Sequence, residues 1–350
     1  MLRWQRWRNL PSCRRPASSK VRATSIVDSY NASASAHVKD QQWEKGLELL
    51  SCLPNKNIVS YGILLNACEK GRQWQAAVGI CQDLQSRCLA PNTFIASSAI
   101  STLSKSLRWA QALDMFQEML IQLLKPNRVT YNTLISACAR GQSWCLATEF
   151  LRKIKEAKLR PNVVTYSAVI SSFSQSLEWQ QAIAFLDELQ RACLRPNLIT
   201  YSAVVSACKD GQQWERALFF FFDMQQMQLL PDTVMYGSAL SACERGQRWQ
   251  DALALLALKG PPADMITCAA AISACEKGLQ WSLALALLQD AQSQNLAPNF
   301  IMYSAAVSAA GVGQQWQKAL HLLSESQARG VTANSVTYGA AINACEKGHQ

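Results

Sequence analysis

The side chains that could do chemistry in this chain of 350 residues recur along it and do not cluster in one motif. The three histidines, His37, His321 and His349, lie in different parts of the sequence, and no His-Glu-x-x-His, Cys-x-x-Cys or glycine-rich phosphate loop is present. Serine is abundant, but none of the serines has a recognisable partner base that would make it a nucleophile. We therefore expect no catalytic residue, no metal site, no cofactor and no small-molecule substrate.

Tryptophan recurs along the chain and defines a repeat. Most intervals between successive tryptophans from Trp43 to Trp316 are 35 residues, and two are shorter, at 31 and 32. Such self-similarity is typical of stacked helical or strand units, each of which buries its apolar face only against its neighbours. With Trp at position 17, the array covers residues 27–350, in units 27–57, 58–92, 93–127, 128–162, 163–197, 198–232, 233–264, 265–299, 300–334 and a partial unit 335–350.

Each unit contains the patterns of two helices. The first is predicted from about position 3 to position 13, and glycine commonly follows at position 14, as in Gly141 and Gly211, where it would provide a left-handed cap. The second begins near the tryptophan and ends in a loop closed by proline at position 34, such as Pro161. The sequence therefore predicts an all-α fold, a solenoid of stacked helical pairs.

One face of the first helix is predicted to form the core. All eight tyrosines occupy position 4, and aliphatic residues such as Leu134 and Ile135 lie on the same side of the helix. Position 11 is often cysteine, but packed helices lie about 8–10 Å apart, which exceeds the reach of a disulfide of about 7 Å. We therefore expect free thiols, and the absence of an apolar signal sequence agrees with a reducing compartment.

The opposite face of the first helix carries a different set of residues. Position 9 is Ser or Asn in all ten units, and position 5 is small or an amide. Position 13 is basic in seven units, at Lys39, Lys70, Lys105, Arg140, Arg245, Lys277 and Lys347. Position 2 is apolar in nine, at Val59, Phe94, Val129, Val164, Ile199, Val234, Ile266, Ile301 and Val336. Stacked side by side, these ladders suit a ligand with planar faces, polar edges and regular negative charges, which is single-stranded nucleic acid.

The positive charge of the chain is concentrated at its start. The formal net charge is +10, but residues 1–27 hold seven basic side chains and no acid, which leaves 27 basic against 24 acidic side chains in the rest. An Arg-rich, Ser-containing leader without acids is typical of an organelle transit peptide, which we predict for residues 1–26; the alternative is a disordered basic tail. We expect a mitochondrion or a chloroplast as the location. No apolar run reaches the roughly 18 residues that a membrane span needs.

Segments such as Arg128-Val-Thr-Tyr-Asn-Thr-Leu-Ile-Ser136 and Leu194-Arg-Pro-Asn197, on this helix-turn-helix period, resemble the pentatricopeptide repeat family. The resemblance covers roughly residues 27–350 and implies a right-handed α-solenoid, or superhelix, that binds RNA with one base per repeat. It differs from the tetratricopeptide repeat, whose period is 34 and whose Trp-x-x-Leu-Gly signature is missing. The Gly-Gln-x-Trp turn, as in Gly211-Gln-Gln-Trp214, departs from the usual plant consensus.

The resemblance implies that the residues at positions 5 and 35 of each repeat read one RNA base. The position 2 side chains would clamp that base, and phosphates would lie near the position 13 cations. An Asn or Ser on a helix, together with an Asn or Asp from the adjoining loop, can match the Watson–Crick edge of a base. The implied pairs are Asn31/Asn57, Gly62/Asn92, Ser97/Asn127, Asn132/Asn162, Ser167/Asn197, Ser202/Asp232, Gly237/Asp264, Ala269/Asn299 and Ser304/Asn334. In the family, Asn/Asn reads a pyrimidine, Ser/Asn reads adenine and Ser/Asp reads guanine.

Three functions stay open at this point. The first is a sequence-selective single-stranded RNA-binding protein without catalysis, acting in transcript stabilisation, processing, splicing or translation in an organelle. The second is a helical scaffold that uses the same groove for a protein or peptide partner. The third is an RNA-editing or RNA-cleaving enzyme whose catalytic domain is missing, because the chain stops midway through a repeat at Gln350.

Overall fold

A computed structural model describes residues 21–350, apart from residues 41, 52–55, 88, 90, 175, 259–263, 295, 332–333 and 348–350. Within these residues all regular elements are α-helices, nineteen in number, which confirms the predicted all-α solenoid class. The helices are α1 (Val21–Lys39), α2 (Trp43–Ser51), α3 (Ile58–Gly71), α4 (Trp74–Ser86), α5 (Thr93–Lys105), α6 (Trp109–Ile121), α7 (Arg128–Arg140), α8 (Trp144–Glu156), α9 (Val163–Ser172), α10 (Trp179–Arg191), α11 (Leu198–Asp210), α12 (Trp214–Gln226), α13 (Thr233–Arg245), α14 (Trp249–Ala257), α15 (Met265–Lys277), α16 (Trp281–Ser293), α17 (Phe300–Val312), α18 (Trp316–Ala328) and α19 (Ser335–Lys347).

The helices fall into two compact units. The first unit ends at Ser172 and contains α1–α9, and the second begins at Phe173 and contains α10–α19. Within each unit, the first helix of a repeat packs against its own second helix and against the first helix of the next repeat, as α5 does against α6 and α7. Most of the predicted leader, residues 1–20, lies outside the described residues, and α1 begins at Val21, before the predicted start of the first repeat.

The boundaries of the two helices follow local chain chemistry. In the repeat 128–162, the first helix begins at position 1, two residues earlier than predicted, because Asn127 in front of it is an N-cap. The second helix begins at the tryptophan, Trp144, as predicted, and the loop after it contains Pro161. The proline cannot donate a backbone hydrogen bond and so does not continue a helix.

The glycine at position 14 does not have the left-handed conformation that we predicted. Gly141 has a φ of −85°, whereas the following residue, Gln142, has a φ of 57°. The amides of Gln142 and Ser143 donate to Ala139 and Cys138, which closes the helix in a Schellman-type turn. The left-handed residue is therefore at position 15, and in the described loops of this kind it is not a glycine.

The reason for glycine at position 14 lies in the preceding repeat. A Cβ at Gly246 would lie 2.5 Å from the ring of Trp214, and one at Gly141 would lie 2.9 Å from the ring of Trp109. The tryptophan thus packs closely against the backbone of the next repeat. The guanidinium of Arg248 lies 4.7 Å from the centre of the Trp214 ring on this side, so a cation–π contact adds to the packing. The tryptophan ladder is part of the structural contact between repeats.

The tyrosines at position 4 lie in the core, as predicted, in the interior repeats. Tyr61 and Tyr201 are fully buried. Their hydroxyls donate to the carboxylates of Asp83 and Asp223, which lie on the second helix at position 26 of the repeat, at 2.7 Å in both cases. Burial raises the pKa of Tyr61 to about 12. The hydrogen bond from Tyr61 lowers the pKa of Asp83. The pair gives each buried hydroxyl an acceptor at the edge of the core.

The repeat 93–127 lacks this tyrosine and keeps the acid. Position 4 is Ala96 and position 26 is Glu118, and the two residues line a small cavity of about 30 Å³ together with Met115 and Met119. Burial raises the pKa of Glu118 to about 7. Glu118 therefore stands at the repeat position of Asp83 and Asp223, which accept a hydrogen bond from a tyrosine. The repeat of Glu118 has no tyrosine at position 4 to donate such a bond.

In the part of the chain that the structure describes, no helix has the length and apolar character that a membrane span requires.

Candidate nucleic-acid interface

The apolar side chains at position 2 form an exposed ladder on the first helices of each unit. Their exposed fractions range from 46% to 69%, although apolar side chains of this size are usually buried. Exposed apolar residues that recur once per repeat mark a binding surface more clearly than scattered ones. The ladder consists of Val59, Phe94, Val129 and Val164 in the first compact unit, and Ile199, Val234, Ile266, Ile301 and Val336 in the second compact unit.

All nine predicted position 35 residues are helix N-caps. In each of them a side-chain oxygen accepts a hydrogen bond from the backbone amide three residues later, at 2.8–3.0 Å. The cap leaves the side-chain amide of an Asn, or the second carboxylate oxygen of an Asp, available to a ligand. The two short repeats follow the same rule. The caps are Asn57, Asn92, Asn127, Asn162, Asn197, Asp232, Asp264, Asn299 and Asn334.

The structure brings positions 5 and 35 of a repeat together where both are amides. Asn31 Nδ2 lies 3.3 Å from Asn57 Oδ1, and Asn132 Nδ2 lies 3.5 Å from Asn162 Oδ1. The residues of each pair are 26 and 30 positions apart in sequence, so the helical pair between them creates the contact. In these two repeats, positions 5 and 35 therefore form a common polar patch.

The sequence reading missed a third polar position next to this patch. Position 3 of the following repeat is Ser60 beside Asn31/Asn57 and Thr165 beside Asn132/Asn162, and both side chains are fully buried. Their hydroxyls lie 2.7–2.8 Å from the side-chain oxygens of both asparagines. The signal was present in the sequence, because position 3 is Ser or Thr in seven of the ten units. A buried residue in a helix normally indicates packing, so position 3 was not assigned to the site from the sequence.

A serine at position 5 uses the same position 3 hydroxyl. Ser97 Oγ lies 2.7 Å from Thr130 Oγ1, and Thr130 Oγ1 lies 3.0 Å from Asn127 Oδ1. Ser97 also donates to the backbone oxygen of Thr93 at 2.6 Å. Because this bond uses the single proton of Ser97, its oxygen is an acceptor toward any further partner.

Glycine at position 5 serves close packing in one repeat. A Cβ at Gly62 would lie 3.1 Å from the ring of Phe94 at position 2 of the next repeat. The aromatic ring therefore leaves little room for a side chain at this position. Gly237 has more room, since the nearest atom to a Cβ there would be Ile266 Cγ2 at 3.8 Å. Ala269 is buried and offers no polar group. These repeats contribute one polar group, the cap, where the others contribute two.

Most position 13 cations contact position 12 or 13 of the preceding repeat. Lys105 pairs with Glu69 at 2.8 Å, and Lys277 pairs with Glu244 at 2.9 Å. Three of the side chains that we predicted as phosphate contacts, Lys105, Arg245 and Lys277, keep at least 44% of their surface exposed. The remaining contacts are Lys70 to the Val38 backbone oxygen, Arg140 to Ser104 Oγ at 2.8 Å, and Arg245 to the Lys209 backbone oxygen and Asp210 at 3.1 and 3.2 Å. Lys39 is exposed, and the Lys347 side chain lies outside the described residues.

Carboxylates at position 12 also bind the serine at position 9 of the next repeat. Ser101 donates to Glu69 at 2.7 Å, and a hydrogen bond from Ser308 lowers the pKa of Glu276 against the larger effect of burial, which raises it. Position 9 thus joins one repeat to the next. The position 13 cations remain candidates for phosphate contact, because a surface ion pair is worth only about 0–1 kcal/mol and a phosphate can compete for the cation.

The buried thiols have the properties of packing residues. Burial raises the pKa of Cys68 and Cys138 to about 11 and that of Cys243 to about 12, so these groups are neutral thiols at physiological pH. All the cysteines that the structure describes in full are free. Among the described residues, no group of three or more His, Cys, Asp or Glu side chains is placed to hold a metal ion.

Models of one repeat family match much of the chain. A pentatricopeptide repeat domain model matches residues 114–176 and 286–347, a PPR repeat family model matches residues 161–210, and a PPR repeat model matches residues 59–89 and 199–229. Together the matched segments fall in both compact units. No curated protein sequence matches the chain significantly.

Solved structures show the same fold at low sequence identity. The pentatricopeptide repeat protein PPR10 in complex with an 18-nt psaJ RNA element is 21% identical, with a TM-score of 0.57 over 92% of this chain and 47% of that chain. The pentatricopeptide repeat protein PPR10 from maize, in another crystal structure, is 18% identical, with a TM-score of 0.51 over 92% of this chain and 57% of that chain. Yeast Rmd9p in complex with a 16-nt target RNA is 10% identical, with a TM-score of 0.51 over 93% and 85%. The chain thus spans about half the length of the PPR10 chain in its RNA complex.

Proposed function

Because the chain belongs to the pentatricopeptide repeat family, we propose that it binds single-stranded RNA selectively, with one base at each repeat. The observation that carries the proposal is the recurring N-cap at position 35, which in the repeats of Asn31 and Asn132 contacts the position 5 side chain. Exposed apolar side chains recur at position 2 beside these groups. Apolar side chains that contact base faces, next to polar groups that face base edges, are the usual means of reading single-stranded RNA. PPR10 and Rmd9p, which share the fold, have been solved with RNA.

The hydrogen-bonding capacity of each pair supports the predicted base. Asn132 and Asn162 have their side-chain oxygens engaged by Thr165, which leaves amide donors for a ligand. Two donors match the acceptors O2 and N3 of cytosine, a pyrimidine. In the Ser97/Asn127 pair, the Ser97 oxygen is an acceptor and the Asn127 amide is a donor. An acceptor beside a donor matches the N6 amino group and N1 of adenine.

The Ser202/Asp232 pair differs from the others in charge. The Asp232 cap uses Oδ1 to accept from the Met235 amide at 2.8 Å, and the second carboxylate oxygen can accept from a ligand. Guanine offers such donors at N1 and N2, and an acceptor at position 35 therefore favours it over adenine. For the four repeats from 93 to 232, with the parallel polarity of the family, the proposed core is 5′-A-pyrimidine-A-G-3′.

The experiment that tests this proposal is selection on randomised RNA. Replacing Asn132 by Ser should shift the second base of the core toward adenine, because an acceptor replaces a donor. The preference should be worth about 1–3 kcal/mol if it resembles a good contact with a base edge. Thr148→Ser serves as the control, because Thr148 is half-buried on the second helix of the same repeat and its hydroxyl bonds only within that helix in the described contacts. The control should select the same RNA as the unmodified protein.

If the wild type and Asn132→Ser select the same second base, the proposed reading by positions 5 and 35 is wrong. If the protein selects no RNA at all and instead retains an extended peptide, the groove is a protein-binding scaffold. Both results are read from the same binding assay, with RNA and peptide libraries in parallel.

We further propose that the protein acts in an organelle, a mitochondrion or a chloroplast, by occupying an RNA site and not by catalysing a reaction on it. This would serve transcript stabilisation, processing, splicing or translation. The support is the acid-free basic leader in residues 1–26. N-terminal sequencing of the protein from fractionated cells should find a start between about residues 15 and 30 in an organelle fraction. A cytosolic protein that retains Met1 would contradict this location.

A further inference from the structure

The hydroxyl group at position 3 forms a buried junction between neighbouring repeats. Thr165 Oγ1 lies 2.7 Å from Asn132 Oδ1 and 2.8 Å from Asn162 Oδ1, and it accepts from the Asn162 backbone amide at 3.2 Å. Thr165 has no exposed surface. Its hydroxyl therefore touches both residues of one proposed base-reading pair, and solvent cannot replace it.

The direction of the hydroxyl hydrogen follows from what the acceptors already receive. Asn162 Oδ1 accepts from the Thr165 backbone amide at 3.0 Å and is 3.5 Å from Asn132 Nδ2. A hydroxyl has one hydrogen to donate, and Asn132 Oδ1 lies closer to it. The hydrogen of Thr165 is thus best used toward Asn132, which holds the oxygen end of that side chain against the core.

The same arrangement occurs in a second repeat with a different residue. Ser60 Oγ lies 2.8 Å from the oxygens of both Asn31 and Asn57, and the Ser60 backbone amide donates to Asn57 Oδ1 at 2.8 Å. Asn31 Nδ2 then points to Asn57 Oδ1 at 3.3 Å. Ser and Thr share only the hydroxyl beyond Cβ, so the hydroxyl, and not the methyl group of Thr, is what the two junctions have in common.

We propose that Thr165, and likewise Ser60, is a positioning residue that sets which end of the position 5 amide faces the RNA. With its oxygen held inward by the hydroxyl, Asn132 offers an amide donor beside the Asn162 donor. The pair then favours cytosine, whose N3 accepts, over uracil, whose N3 donates. Without the hydroxyl the amide can turn over and present its oxygen, which removes the distinction between the two pyrimidines. This inference rests on the proposed function.

The chain contains repeats in which position 3 cannot act in this way. Beside Ser202/Asp232 and Ala269/Asn299, position 3 is Met235 and Met302, which have no hydroxyl. Thr267 has one, but it bonds only to the backbone of its own cap residue Asp264 in the described contacts, at 2.9 Å, and its neighbour at position 5 is a glycine. Thr267 thus keeps the capping role of the hydroxyl without a side chain to orient.

The test compares three variants of the full chain: Thr165→Val, Thr165→Ser and Thr267→Val. Each is titrated with two RNA oligonucleotides that differ only in cytosine or uracil at the base assigned to Asn132/Asn162. The Val substitution keeps the shape of threonine and removes its hydroxyl. The Kd for the uracil oligonucleotide divided by the Kd for the cytosine oligonucleotide should fall by about fivefold in Thr165→Val. This is the effect of losing one ordinary hydrogen bond. Thr165→Ser should keep the wild-type ratio.

Thr267→Val is the matched control, because it removes a capping hydroxyl of the same kind and so tests for a purely structural effect. Its cytosine-to-uracil ratio should equal that of the wild type, even if its thermal stability falls as far as that of Thr165→Val. Should Thr165→Val fail to fold, Thr165→Ala is measured against Thr165→Ser under the same scheme. Circular dichroism spectra establish folding for every variant.

The outcomes separate this inference from the proposed function. If the wild type prefers cytosine and Thr165→Val prefers it equally, the hydroxyl does not position the amide, while base reading stands. If the wild type does not distinguish cytosine from uracil, the assigned orientation of Asn132 is wrong. If the wild type does not bind RNA, the proposed function fails and this inference fails with it.

Discussion

Replacing Glu118 by Gln should remove a pH-dependent weakness from the repeat 93–127. Glu118 lies beside the small cavity under Ala96, and burial raises its pKa from an ordinary value of 4.5 to about 7. Because the folded-state pKa is raised, the folded state binds the proton more tightly than the unfolded state. The free energy of unfolding should therefore fall as the pH rises from about 4.5 to about 7 and stay low above that range.

The size of the effect follows from the pKa. Each pKa unit corresponds to about 1.4 kcal/mol, so a fully buried group would cost the folded state about 3 kcal/mol when ionised. Glu118 is only partly buried, and solvent screening reduces the expected cost to about 1–2 kcal/mol at pH 8. Glutamine has nearly the same shape and stays neutral. Glu118→Gln should thus be more stable than the wild type at pH 8 by that amount, and similar to it at pH 4.5.

Hydrogen exchange followed by mass spectrometry is the suitable assay, since it reads the stability of α5 and α6 separately from the rest of a repeat array. Protection of these helices in Glu118→Gln should exceed the wild type by about five- to thirtyfold at pH 8, the equivalent of 1–2 kcal/mol. Comparing the two proteins at the same pH removes the pH dependence of the exchange chemistry itself. Equal protection at pH 8, or the same difference at pH 8 and pH 4.5, would refute the reasoning.

Two other predictions concern packing and charge. Gly246→Ala should lower the free energy of unfolding by about 1–3 kcal/mol, because the added Cβ would lie 2.5 Å from a tryptophan ring. Gly79→Ala should raise it by about 0.5–1 kcal/mol, because no atom lies within 4 Å of the added Cβ and alanine favours the helix. Urea unfolding measures both changes. If Lys105 contacts a phosphate, Lys105→Gln should reduce the slope of the logarithm of the RNA-binding constant against the logarithm of the salt concentration by about 0.7. Glu69→Gln, which removes the partner of Lys105 in the ion pair, should strengthen RNA binding. An unchanged slope in Lys105→Gln would leave Lys105 with a structural role alone.

The periodic features of the sequence were sufficient to predict the fold and one side of the site. Position 2 residues such as Val129 were expected on a surface, and position 4 residues such as Tyr131 in the core, because helix geometry alone assigns them to opposite faces. The structure agrees with both. Helix boundaries were also close to the prediction, since tryptophan marks the start of the second helix in all nine full repeats and proline follows that helix at position 34 in six of them.

What the sequence did not reveal depends on contacts between repeats. Gly141 was predicted to be a left-handed cap, but its role is to admit the ring of Trp109 from the preceding repeat, 32 residues earlier. The link between Lys105 and Glu69 spans 36 residues, and the one between Thr165 and Asn132 spans 33. Such contacts depend on the offset between neighbouring helices, which no local pattern specifies.

The double use of position 35 has a consequence for how such proteins can change their RNA target. The residue that we propose to face the base also precedes the next helix as its N-cap, so only side chains that cap a helix well are compatible with the fold there. Asn and Asp are both good caps, so under the proposed function exchanging Asn162 for Asp should alter the edge presented to RNA while leaving the helix start intact. A replacement by alanine would cost about 1 kcal/mol at the cap as well as the contact. Recognition can therefore diversify among a few residues without loss of folding stability, and it is confined to those few.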